Sequence, residues 1–199
     1  MKKILLISGL MLAGLNASAD EIKWYGGVSY GNSKVDTGIT NLTGTASLDE
    51  KDNGYKIFAG ANVTQYISAE LHYLDFGEAT LKGNNGDTFD LGGTTYSFTS
   101  TETVTGEGDS YGISAIASYP MHEHFEPFVK VGLHRWELDY QIKTNNSTVS
   151  VDGTDIFYGI GANIPLTSNF SARIEYELFE CDNEVEDITF LSAGLLYKF

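Results

Sequence analysis

Residues 170–178 read Phe-Ser-Ala-Arg-Ile-Glu-Tyr-Glu-Leu. Phe170, Ala172, Ile174, Tyr176 and Leu178 alternate with Ser171, Arg173, Glu175 and Glu177. A period of two belongs to a β-strand, whose successive side chains point to opposite faces. Such a strand has two uses. In a soluble sandwich or barrel the apolar face fills the core. In a transmembrane barrel the apolar face meets lipid and the charged face lines the lumen. The order of residues along the apolar face separates the two. Tyr55…Val63 and Tyr111…Tyr119 carry tyrosine at strand ends and small aliphatic residues between. Aromatic ends with an aliphatic middle suit two membrane interfaces and the hydrocarbon between them.

The same alternation recurs eight times. Trp24, Gly26, Val28 and Tyr30 share a face opposite Tyr25, Gly27 and Ser29. Tyr55, Ile57, Ala59, Ala61 and Val63 share another. Ile67, Ala69, Leu71 and Tyr73 stand opposite Ser68, Glu70 and His72. Tyr111 to Tyr119 follows, then Val129, Val131 and Leu133 opposite Lys130, Gly132 and His134. After Ile156 to Ile164 and residues 170–178, the pattern ends at Leu191, Ala193, Leu195, Tyr197 and Phe199. Short connections (64–66, 120–124, 165–168) alternate with long ones (32–53, 78–109, 139–154, 180–187). Short inner turns and long outer loops are the rhythm of an outer-membrane barrel. Eight antiparallel strands bring the last beside the first and leave no open edge. The expected fold is therefore all-β: an eight-stranded antiparallel up-and-down transmembrane β-barrel over residues 20–199.

Residues 1–19 read as a cleaved signal peptide. Lys2 and Lys3 precede an apolar run from Ile4 to Leu15, and Ala17-Ser18-Ala19 offers a small-x-small cleavage site before Asp20. The run is too short to span a bilayer, which takes roughly 20 residues. The 199-residue chain holds 27 acidic and 12 basic residues, a net charge of -15. That balance excludes a general phosphate-backbone binder, so no nucleic-acid partner is expected. One cysteine excludes a disulfide framework and a cysteine-based zinc site.

Several stretches resemble the eight-stranded transmembrane domain of the outer-membrane protein A family and related small outer-membrane barrels. They are Gly54-Tyr55…Phe58-Ala59-Gly60, residues 69–77 (Ala-Glu-Leu-His-Tyr-Leu-Asp-Phe-Gly), Ser118-Tyr119-Pro120 and Ala172-Arg173-Ile174-Glu175-Tyr176. The terminal Leu195-Leu196-Tyr197-Lys198-Phe199 resembles the C-terminal signal read by the barrel-assembly machinery, with Tyr197 and Phe199 as its aromatic residues. The family's longest members continue into a peptidoglycan-binding domain, for which this chain shows no matching stretch. The resemblance implies inward charges that pair across the lumen: Glu70, Lys130, Arg173 and Glu175, with an ion pair between Glu70 and Arg173. A second family pair is not preserved, because the matching positions read Ile116 and Asn163. The resemblance therefore implies a plugged interior that is less ionic than in the family's type member.

Catalytic and metal chemistry find little support. His122 and His124 share a turn with Glu123 and Glu126, but a metal site needs three or four converging ligands. His72 lies two residues from Glu70 on one face and reads as a member of a lumen hydrogen-bond network. No serine has a recognisable nucleophile context. Residues 83–90 resemble one calcium-binding nonapeptide turn, which binds only in stacked repeats. Cys181 reads as an isolated thiol. The acidic loop residues, among them Asp49, Asp52, Glu107, Asp109 and Asp187, read as solvation, with divalent-cation bridging to lipopolysaccharide as the sharper alternative.

The expected protein is a monomeric, non-enzymatic, cofactor-free barrel in a Gram-negative outer membrane. Its partners are membrane lipid, lipopolysaccharide, the assembly machinery and an extracellular ligand or receptor at the outer loops. The expected role is structural or surface-interactive: envelope integrity, adhesion or host contact. The alternative is a narrow pore for ions or small solutes, and a distant third is a lipid-modifying enzyme.

Overall fold

The computed structural model describes residues 22–121, 125–143, 147–181 and 187–199. The expected leader, residues 1–19, lies outside them. Twelve strands follow in order: β1 (Lys23–Asp36), β2 (Ile39–Thr40), β3 (Ser47–Asp49), β4 (Lys51–Asn62), β5 (Ile67–Gly83), β6 (Thr88–Leu91), β7 (Thr94–Ser97), β8 (Glu102–Ser118), β9 (Glu126–Ile142), β10 (Ser147–Pro165), β11 (Phe170–Glu180) and β12 (Asp187–Lys198). Eight of them, β1, β4, β5 and β8 to β12, form a closed antiparallel barrel in which β5 pairs with β8 and β1 with β12. The closing register runs from Tyr25↔Lys198 to Asp36↔Asp187. Backbone groups of every barrel strand are thereby paired within the wall, as a hydrocarbon surrounding requires.

The alternating pattern sets which side faces out. Val28, Ile57, Leu71, Ile113, Val131, Ile160, Ile174 and Leu195 are exposed on the outer wall. Tyr30, Tyr55, Tyr73, Tyr111, Tyr158 and Tyr176 ring its upper edge, and Trp24, Tyr66, Tyr119, Phe170, Tyr197 and Phe199 its lower edge. From Tyr111 to Tyr119 the outer wall of β8 spans roughly 27 Å at about 3.4 Å per residue. With a typical tilt of 35–45° that covers most of a ~25 Å apolar band.

The long connections differ from the sequence expectation. Residues 32–53, 78–109 and 139–154 were expected to be loops, yet β1, β5, β8, β9 and β10 run well into them. Beyond the membrane the outer face of a strand meets water, so the lipid-facing apolar residues that mark a strand in sequence are lost, and the few apolar residues there, such as Leu81 and Val104, turn to the inner face while the ladder continues. A second small sheet, β2–β6–β7, stands over this extension, and β3 pairs with the upper part of β5.

Inside, small and large residues alternate to fill the taper. A Cβ at Gly60 would overlap the Tyr25 ring, and one at Gly132 would overlap Phe157. Gly77, at φ +79, sits where the β5–β8 register shifts past Asp75, a backbone conformation that glycine adopts without strain.

Candidate functional site: the barrel lumen

Among the described residues, six charged side chains meet in the lower half of the lumen. They are Lys56 on β4, Glu70 on β5, Lys130 on β9, and Arg173, Glu175 and Glu177 on β11. Each occupies the phase opposite a lipid-facing neighbour, so the pattern that exposes Ile57, Leu71 and Ile174 drives these charges inward. Their side chains are no more than 2% exposed.

Glu70 is the centre of one half of the network. It accepts from Arg173 Nη1 at 2.7 Å, Lys130 Nζ at 2.8 Å and the Tyr25 hydroxyl at 2.9 Å. Lys130 also reaches Glu175 at 2.5 Å and Glu177 at 3.2 Å. Lys56 bridges Glu175 and Glu177 from the other side. Arg173 Nε donates to Asn163 Oδ1 at 2.9 Å, and its guanidinium lies 4.5 Å from the Phe58 ring centre and 5.0 Å from that of Phe128. Three cations thus face three carboxylates. Each ion loses several kcal/mol of hydration on burial, and only multiple partners in good geometry offset that loss.

All four residues expected in the lumen lie in this one cluster. Lys56 and Glu177 were missed. Both were legible by phase: Lys56 precedes the outward Ile57, and Glu177 follows the outward Tyr176. The two substituted family positions lie nearby, Ile116 as a buried apolar residue and Asn163 as the acceptor for Arg173. With Lys56 and Glu177 included, the interior is more ionic than the four expected charges implied.

Above the charges lies an aromatic layer. Phe157 and Phe179 stack at 5.0 Å, and Phe76 meets Phe179 edge-on at 5.2 Å. Leu74, Trp136, Ile188 and Phe190 complete the cluster. Here the sequence reading of His72 needs correction. Neither ring nitrogen of His72 makes a hydrogen bond among the described residues, and the ring packs edge-on to Phe157 at 4.9 Å. His72 projects one turn of the pleat above Glu70 and so falls among aromatics rather than into the ionic layer. His134 lies in the same layer, with Ser110 Oγ at 3.0 Å and the Glu180 carbonyl at 2.9 Å. Both Ser110 and His134 are buried, so this pair offers no nucleophile to a substrate. Cys181 is buried in the same cluster.

Among the described residues no group of three or more histidine, cysteine or acidic side chains is placed to hold a metal ion. His122, Glu123 and His124, with Asp182, Glu184 and Glu186 of the last acidic segment, lie outside the described residues. In the nonapeptide-like turn, Asp87 is occupied by the chain itself: it accepts from the Asn84 amide at 2.9 Å and the Thr45 hydroxyl at 2.7 Å. These bonds hold its carboxyl below the ordinary aspartate range. The acidic residues Asp75, Glu78, Glu107, Asp109, Glu137 and Asp139 surround a depression on the outer wall next to the upper tyrosines. At the seam, the Phe199 amide donates to the Trp24 carbonyl at 3.0 Å, and the ring of Phe199 stands 5.1 Å from Tyr197 at 86°.

A closed eight-stranded barrel with a lipid-facing apolar belt and a packed, charged lumen defines a transmembrane β-barrel of the outer-membrane class. The chain belongs to the family described as the outer membrane protein beta-barrel domain, whose model matches residues 4–199. It is therefore a protein of the Gram-negative outer membrane. Outer membrane protein A of Serratia marcescens is 24% identical over 221 residues, covering 100% of this chain and 56% of that protein. The chain thus spans about half the length of the curated relatives it matches. Among solved structures, the N-terminal beta-barrel domain of Pseudomonas aeruginosa OprF superposes with a TM-score of 0.56 at 14% identity, covering 90% of this chain and 100% of that one. Ail, the attachment invasion locus protein of Yersinia pestis, superposes at 0.53 and 14% identity, covering 89% and 99%, in a complex with the heparin analogue sucrose octasulfate. At these identities the structures share the fold.

Proposed function

We propose that this protein is a non-enzymatic, monomeric barrel with a plugged lumen, serving envelope integrity or surface contact rather than solute passage. The observation that carries the reading is the balanced set of three cations and three carboxylates under a stacked aromatic layer. In an eight-stranded barrel the interior is just wide enough for side chains to fill. The space beside Tyr25, Ser68 and Arg173 below the network is about 20 Å3, room for about one water. Contact with a partner falls to the strand extensions and loops above the membrane. The binding of a polysulfated sugar by Ail does not carry over in kind, because the upper wall here is lined by Asp75, Glu107, Asp109, Glu137 and Asp139 and repels polyanions. Planar-bilayer recording tests the reading. The unmodified protein should give no stable conductance, and steady open channels would overturn it in favour of a narrow pore.

A further inference from the structure

Between the aromatic layer and the small β2–β6–β7 sheet lies a cavity of about 340 Å3. Its wall is made by the strand extensions. Val35, Leu48, Leu81, Val104, Leu138 and Tyr140 line it. Leu48, Leu81 and Val104 sit in one cross-strand row, with Leu48 opposite Leu81 and Leu81 opposite Val104. Their neighbours Asp49, Lys82 and Thr103 alternate with them and stay outside the lining, so the row is a built apolar face rather than a chance exposure. The roof is formed by Ile39, Phe89 and Leu91 of the small sheet, Ile39 paired with Leu91. Phe89 is held by Tyr96 at 5.6 Å and Phe98 at 5.3 Å. The floor is Leu138, backed by Trp136 and Phe76 of the sealed cluster. The cavity is thus a cup with a closed base.

Its chemistry selects the occupant. Among the described residues no charged side chain lines it. Of the threonines that line it, Thr37 spends its hydroxyl on Glu50 Oε1 at 2.8 Å and Thr80 on Glu78 Oε1 at 3.1 Å. A water needs two to four polar partners, and the cup offers few. Mostly apolar cavities of ~300–1,000 Å3 in barrel mouths are typical small-molecule sites. The wall that holds Gly108 and Leu138 inside carries Glu107, Asp109, Glu137 and Asp139 on its outer side. That field opposes an anionic head group.

We propose that this cup binds a small, uncharged apolar molecule, a short hydrocarbon chain or ring, taken up from the outer side of the membrane. The inference goes beyond the structural role and stands independently of it, since the cup lies above the seal whether or not the lumen conducts. The chain has two tryptophans, and Trp136 lies under the cup floor, so Trp24→Phe leaves one internal reporter. In nanodiscs of that variant, 1-bromooctane should quench Trp136 emission saturably. The anionic 8-bromooctanoate should need at least a tenfold higher concentration. Adding Ala79→Phe, which fills the cup, should abolish the saturable component while the barrel remains heat-modifiable. If Ala79→Phe does not assemble, Leu48→Asp on the short β3 makes the same comparison. Quenching that rises linearly with probe, that is equal for both probes, or that survives the filled or charged cup would overturn the proposal.

Discussion

Arg173 and Glu70 meet across the lumen at 2.7 Å, joining β11 to β5 on opposite sides of the barrel. Removing either leaves an uncompensated charge in a closely packed interior, at a cost of about 3–5 kcal/mol. Removing both leaves Lys56 and Lys130 facing Glu175 and Glu177, which is again neutral. Glu70→Ala and Arg173→Ala should therefore each destabilise strongly, and the double variant by clearly less than their sum. Urea unfolding in lipid vesicles measures the cycle. A coupling energy near zero would show that the two charges are solvated independently.

Lys56 tests the other half of the network. Lys56→Met leaves Glu175 and Glu177 with Lys130 as their shared cation, and the lumen one charge negative. The expected result is lower stability in urea and cation-selective leakage in planar bilayers. Adding Glu177→Gln restores neutrality and should recover part of the loss. No recovery would mean that Lys56 acts through packing alone.

The outer wall makes a depth-dependent prediction. Ile57→Arg or Ile160→Arg, at the middle of the apolar belt, should cost about 2–4 kcal/mol of stability in a bilayer. The same change at Val149, on the part of β10 beyond the upper tyrosines, should cost under about 1 kcal/mol. Equal costs at the two heights would be incompatible with the belt described.

Asp87 ties the turn before β6 through bonds made to its carboxylate. Its folded pKa lies below the ordinary value, so the tie is at full strength above the unfolded aspartate value, about 3.9, and is lost as pH falls through the folded one. Acidification below that value should loosen the β2–β6–β7 sheet, read as faster cleavage of residues 84–100 by an acid-active protease such as pepsin. Asp87→Asn should show the fast cleavage already at pH 5. Cleavage of the Asp87→Asn variant at the parent rate would sever the link to this carboxyl.

Phe199 and Tyr197 are proposed as the aromatic mark read during assembly. Deleting Phe199 should sharply lower the amount of heat-modifiable barrel in the outer membrane without reducing export to the periplasm. Normal yields of embedded, folded protein would remove that role.

The barrel was legible because lipid imposes a strict contrast. Every strand crossing the belt must alternate, and residues such as Ile57, Leu71 and Ile174 report that phase directly. The strand extensions were not legible, since above the belt residues such as Lys82 and Glu107 face water much as loop residues do. Within the site, resemblance pointed to Glu70, Lys130, Arg173 and Glu175, while phase alone would have added Lys56 and Glu177. The aromatic layer was hidden for a different reason. Phe157 and Phe179 are inward but apolar, and beside Ile156, Tyr158 and Leu178 they blur into an apolar run. Depth along the lumen decides whether an inward residue such as His72 meets charge or aromatic rings, and a periodic pattern carries no depth.

The seam between β1 and β12 has a consequence for how the molecule is made. Gly27 lies opposite Leu196, so the two strands that complete the wall come from opposite ends of the sequence. No hairpin synthesised early can satisfy its outer edges alone, and until β12 arrives β1 offers a row of unpaired backbone groups to any other strand it meets. Closure is the most non-local event in the fold and therefore the slowest to arise by chance. A cell making this protein must keep one unsealed edge solitary for the whole time between export and insertion. The last strand then acts as a latch, turning a sticky ribbon into a cylinder with nothing left to pair.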